Sequence, residues 1–144
     1  MNRLRILEEE RTALQARWPD VVLALDDGER ASKVREGSDT VVLKDGDTTR
    51  GFVRAVLTVP LGHPKAAVYG VFVEVDRQSY ATLQRAFREH KPAEVWGKLA
   101  TKLPYLDDAF GAAVLVREEG GEMRARVVEA KSASLVDGPK VGRR

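Results

Sequence analysis

"RGFVRAVLTVPLGHPKAAVYGVFVEVDRQSY", residues 50–80, is the stretch whose reading decides the fold. Two runs rich in β-branched and aromatic residues flank Gly62-His63-Pro64-Lys65, which has the composition of a turn. In the first run Val53, Ala55, Leu57, Val59 and Leu61 alternate with Phe52, Arg54, Val56, Thr58 and Pro60. In the second, Tyr69, Val71, Val73 and Val75 alternate with Val68, Gly70, Phe72 and Glu74. Successive side chains of a strand point to opposite faces, so each run has one almost wholly apolar face and one mixed face. The pattern predicts a central antiparallel pair with helices on its apolar side and a partly open mixed side. A hairpin closing at residues 62–65 places Arg54 opposite about residue 73, beside Glu74.

Downstream, Asp76 is a good N-cap for a helix from about Arg77 to His90, with Tyr80, Leu83 and Phe87 as its apolar stripe and Lys91-Pro92 as its stop. Residues 93–108 read as short helical or irregular, with Trp96, Leu99 and Leu103 as buried anchors. Residues 109–131 read as a hairpin about Gly120-Gly121. Upstream, Leu4, Leu7, Leu14 and Trp18 recur at roughly helical spacing, which predicts a helix over 3–17 ended by Pro19. "VVLAL" (21–25) is open to a strand, 26–39 reads as a polar loop, and 40–47 as a strand ending in the turn Asp45-Gly46. The expectation is a single α+β domain over 1–144: a mainly antiparallel sheet of about five strands, with helices packed chiefly on one face. Within it, 1–18 is an N-terminal helix, 40–131 the sheet-and-helix core, and 138–144 a flexible basic tail.

At 144 residues, 43% hydrophobic and 32% charged, the composition is that of an ordinary globular domain. No apolar run approaches the length of a transmembrane helix. The opening "MNRLRILEEER" is too charged for a signal peptide, so a cytoplasmic location is expected. With no cysteine, disulfides, thiolate zinc sites and cysteine nucleophiles are excluded. Seven basic and nine acidic side chains fall in 1–40, and seventeen basic and thirteen acidic in 41–144. That excess falls short of the basic stripe of a nucleic-acid binder.

The residues carry few signs of catalysis or metal binding. His63 and His90, the two histidines, have no ligand spacing around them, and no phosphate or dinucleotide loop is present. No catalytic residue, metal or cofactor is assigned. Ser132 and Ser134 lack a base partner, and the adjacent Asp107 and Asp108 diverge too much for an acid–base pair. Arg54 and Glu74 are charges on the mixed face of central strands. A half-buried charge calls for a partner, and a cross-strand ion pair is the simpler reading. The functional reading is a binding patch of Arg54, Glu74, Tyr105, Arg124 and Arg126.

Three segments together resemble an uncharacterised bacterial family, domain of unknown function 2199. They are Arg54 to Pro60, Tyr69 to Val73, and Gly97, Leu99, Leu103, Pro104 and Tyr105, within a resemblance spanning about residues 40–131. Members often begin with a zinc-like Cys-x-x-Cys-Gly motif and carry His-Pro-Leu near the end. This chain has a charged segment and "SASLVDG" (132–138) in those places, so no zinc is carried over. The resemblance supports the order of elements. The function read here is a non-enzymatic protein-binding module, possibly regulatory or immunity-type, with another protein as partner and no membrane or metal. The alternative is a small-ligand binder or enzyme with a polar cleft around Arg54 and Glu74. A third reading is weak nucleic-acid binding by Arg77, Arg85, Arg88, Lys91, Lys98 and Lys102, six cations against two acidic residues in 77–102.

Overall fold

A long hairpin forms the trunk of the molecule. The computed structural model describes residues 12–62, 65–103, 106–119 and 125–131. In chain order these form β1 (Thr12–Gln15), α1 (Asp20–Leu23), α2 (Asp27–Lys33), β2 (Val34–Glu36), β3 (Thr40–Asp45), β4 (Thr48–Gly62), β5 (Lys65–Val75), α3 (Arg77–Glu89), β6 (Pro92–Leu99), a 3-10 turn (Asp107–Ala109), β7 (Ala113–Glu119) and β8 (Ala125–Ala130). β4 and β5 pair antiparallel along almost their whole length, as their alternating pattern predicts.

Both trunk strands are longer than any one neighbour, and each divides its outer edge between two partners. β4 takes antiparallel β3 along Thr48–Val53 and parallel β8 at Ala55 and Val56. β5 takes parallel β1 at Val68–Gly70 and antiparallel β6 at Val73 and Glu74. With β6–β7 and β7–β8 antiparallel, the ring β4-β5-β6-β7-β8 closes on itself as a barrel. Strand direction alternates around this ring, and an odd number of strands cannot all be antiparallel. The β8–β4 seam is therefore parallel. Closing a sheet this way removes the edges that an open sheet leaves exposed. The expected open, mainly antiparallel sheet of about five strands is thus corrected to a mixed sheet with a closed five-stranded barrel. β1 and β3-β2 extend it beyond the ring.

The inward residues are those of the apolar faces. Val53, Ala55, Leu57 and Val59 of β4 meet Tyr69, Val71, Val73 and Val75 of β5, with Val95, Leu99, Val114, Val116 and Ala125 from the other strands. Helix α3 packs against this core through buried Leu83 and Ala86 and partly buried Tyr80 and Phe87. It follows β5 directly and contacts β4, β6 and β7, so it covers the barrel end where β4 begins and β5 finishes. Gly51 permits this approach, because a Cβ there would lie 2.7 Å from the Tyr80 ring.

The mixed face is more buried than its sequence suggests. Phe52 and Phe72 are fully buried outside the barrel wall, in a second cluster with Ala16, Val22, Val41, Leu43 and Ala100. The segment after β1, α1, Leu25 and Val34 cover it. Three local readings change accordingly. Residues 12–15 are a strand rather than helix, because β5 offers them an unpaired edge. "VVLAL" supplies α1, whose start is held by the Asp20 N–H donating to the Ala100 carbonyl. The expected loop contains α2, whose Asp26 and Glu29 form a reciprocal capping box, and then β2. The side chains of Pro60 and Leu61, residues 3–11 of the expected N-terminal helix, His63, Tyr105, the Gly120-Gly121 turn with Arg124, and the tail with Ser132 and Ser134 lie outside the described residues.

Asp76 caps α3 as expected, accepting from the Ser79 N–H at 2.7 Å. Hydrogen bonds from the Ser79 backbone, then its side chain, hold the Asp76 carboxyl below its ordinary pKa. A depressed carboxyl stabilises the fold above its unfolded pKa, and that stabilisation is lost as pH falls through the folded value. The melting-temperature gap between wild type and Asp76→Ala is therefore full near neutrality and narrows below about pH 4. Calorimetry of both proteins across that range checks this; a constant gap would contradict it.

Candidate functional site

One outward-facing row explains the fate of the mixed face. Across the sheet Val41, Phe52, Glu74, Lys98 and Ala113 are successive register partners. At the β3–β4 end the row is buried under α1. At the β6–β7 end it is open, with Glu74 half-buried and Lys98 exposed. The same surface therefore seals a core on one side and meets solvent on the other.

Arg54 and Glu74 do not pair with each other. The hairpin register sets Arg54 opposite Phe72 and Glu74 opposite Phe52, one residue off the expected alignment. Arg54 turns back over the second core, stacks 4.6 Å above the Phe72 ring, and donates to the Ala16 carbonyl at 2.8 Å. Its Nε lies 3.9 Å from Asp39. Arg50, absent from the sequence-derived patch, is the partner of Glu74. Its Nε and Nη2 donate to the two carboxylate oxygens at 2.8 Å each, a bidentate fork. This hydrogen bonding raises the Arg50 pKa, with burial opposing it. The alternation of the strand could have flagged Arg50, since it shares the outward face with Phe52 and Arg54.

Beside Glu74 the outer face of β6, β7 and β8 is uncovered by any other described helix or strand. Its middle row is Trp96, Leu115 and Glu129, and its flanking row is Glu94, Arg117 and Arg126. Arg117 binds Glu94 in a fork of 2.7 and 2.6 Å. Trp96, expected in the core, keeps 42% of its surface exposed, and the Lys131 ammonium lies 5.2 Å from its ring. β6 explains the error: Val95 and Leu99 alternate inward, which turns Trp96 outward on the intervening position. Glu74, Asp76, Trp96, Gly97, Lys98 and Ala113 line a groove of about 440 Å³ along this face.

A second depression, of about 490 Å³, lies where α3 meets the loop after β2. Gly37, Ser38, Asp39 and Thr40 form one wall, and Gln84, Phe87, Arg88 and His90 the other. Glu118, buried at 2% exposure, lines its inner side. Of the sequence-derived patch, then, Glu74 and Arg126 belong to the outer face of the barrel and Arg54 to the second core. Tyr105 and Arg124 lie outside the described residues. The basic residues of 77–102 are divided between α3, β6 and the loop beyond it. Among the described residues no group of three or more His, Asp or Glu side chains is placed to hold a metal ion, and no helix is long and apolar enough to cross a membrane.

Residues 7–134 match the family model described as an uncharacterized protein conserved in bacteria, DUF2199. The chain belongs to this family. The DUF2199 match reaches well beyond residues 40–131, taking in β1, α1, α2 and β2, the elements that enclose the second core. No curated protein and no solved structure matches the chain.

Proposed function

We propose that this protein is a non-enzymatic protein-binding module that docks its partner on the outer face of β6, β7 and β8. The observation that supports the reading is Trp96, a large aromatic side chain left 42% exposed at the centre of a face rimmed by charges. Tryptophan is enriched among residues that dominate binding energy, and a polar rim around an apolar centre is the usual anatomy of an interface. The rim carries Lys98, Arg117, Arg126 and Lys131 against Glu94 and Glu129. A partner segment with an apolar anchor and net negative charge complements it.

The test is affinity capture from native lysate with wild type, Trp96→Ala and Trp96→Phe as baits, followed by titration of the captured protein. A specific partner bound at least tenfold more weakly by Trp96→Ala, with Trp96→Phe retaining most of the affinity, is the expected result. Equal binding by wild type and Trp96→Ala refutes this docking face, and the absence of any specific partner refutes the module.

A further inference from the structure

The depression between α3 and the Gly37–Thr40 loop is a different surface from the Trp96 face. We propose that it binds a small organic monocation, a primary amine or guanidinium, with Glu118 as the counter-ion. Residues Val114, Val116 and Glu118 alternate inward along β7. The first two are apolar, as the inside of a barrel requires, whereas the third places a carboxylate on the inner wall of the cleft at 2% exposure. A buried carboxylate is costly unless positive charge or hydrogen-bond donors face it, and a ligand cation reaching that wall supplies both.

The surroundings favour the same sign of charge. The thirteen-residue α3 ends at this cleft, so the negative end of its dipole falls there. His90 closes the helix with φ of 57°, the one non-glycine positive φ among the described residues, and lines the rim in that conformation. Asp39 adds a carboxylate to the facing wall, although it is shared with Arg54. Ser38, Thr40 and Gln84 offer neutral hydrogen-bonding groups, and Phe87 offers an apolar wall for an aliphatic stem. The volume of about 490 Å³ lies within the range of small-ligand sites. Arg88, exposed at the rim, repels a second positive charge. This selects monocations over polyamines.

The test is a titration of the full chain, followed by amide NMR, with n-butylamine and butylguanidine at neutral pH, with butyrate and spermidine as comparisons. Expected are saturable shifts confined to residues 37–40, 84–90 and 118 with at least one of the two monocations. Spermidine binds more weakly and butyrate produces none of these shifts. Glu118→Gln weakens the monocation at least tenfold. Should that variant fail to fold, Gln84→Trp, which fills the cleft from a half-exposed helix position, abolishes the shifts instead. Shifts that are absent, spread over the acidic surface, equal for butyrate, or unchanged in a folded Glu118→Gln or Gln84→Trp variant overturn the proposal.

Discussion

Phe72→Ala lowers the free energy of unfolding by about 4 kcal/mol, a large share of the roughly 5–15 kcal/mol that holds a domain of this kind together. The ring is fully buried outside the barrel wall, beside Phe52 and under Ala16, Val22 and Ala100. Removing it costs its transfer from water and leaves a cavity that the surrounding groups cannot collapse into. Those groups are fixed by the backbone: the Phe72 N–H donates to Thr101 Oγ1 and its carbonyl accepts from the Ala100 N–H. The guanidinium of Arg54 also loses the ring on which it stacks. Urea denaturation followed by tryptophan fluorescence checks the value. Trp18 packs against this cluster and Trp96 lies on the far face, so the native emission of Trp18 changes while that of Trp96 does not. Phe72→Leu, which keeps much of the volume, costs about 1.5 kcal/mol. A loss below about 1 kcal/mol for Phe72→Ala would mean that the second core contributes little.

Gly97→Ala is expected to cost about 3 kcal/mol, an unusual penalty for one added methyl group. A Cβ at this position would lie 2.5 Å from the Glu74 carbonyl oxygen, 2.6 Å from Val73 Cγ1 and 2.9 Å from Val75 Cγ1. Two of these atoms belong to branched side chains locked inside the barrel and the third to backbone, so none can swing aside. β6 must retreat from β5 instead. That contact is where the barrel is thinnest, because only Val73–Leu99 and Glu74–Lys98 join the two strands. Hydrogen exchange distinguishes this mechanism from general destabilisation: amides of β6 and β7 lose protection before those of the β4–β5 trunk. Unchanged stability would place β6 farther from β5 than the fold requires.

The legible parts of this fold were those in which neighbours in sequence are neighbours in space. The β4–β5 hairpin, the Asp76-capped α3 and the β7–β8 pair each follow from local alternation, a helical stripe or a cap. The turn at Gly46, with φ of 67°, was legible for the same reason. The hairpin register was out by one residue, which was enough to join Arg54 to Glu74 wrongly and to hide Arg50. Such a slip moves every cross-strand partner, and the sequence of the turn alone does not fix it.

The working surfaces were less legible. Trp96 looks like a core residue because it is large and apolar, and only the inward placement of Val95 and Leu99 turns it outward. Glu118 looks like a surface charge in "REEGGE", and only closure of the barrel carries it inside.

By itself the sequence determined the alternating faces, the caps and turns, and therefore the trunk hairpin and its following helix, because these depend on interactions within a few residues. The tertiary structure decided that the strands close into a barrel, that residues 12–15 add a parallel strand, and that α1 buries half of the mixed face. Those outcomes depend on which edges and apolar surfaces remain unsatisfied once the trunk has formed. Their partners are far apart along the chain, and local pattern carries no record of them.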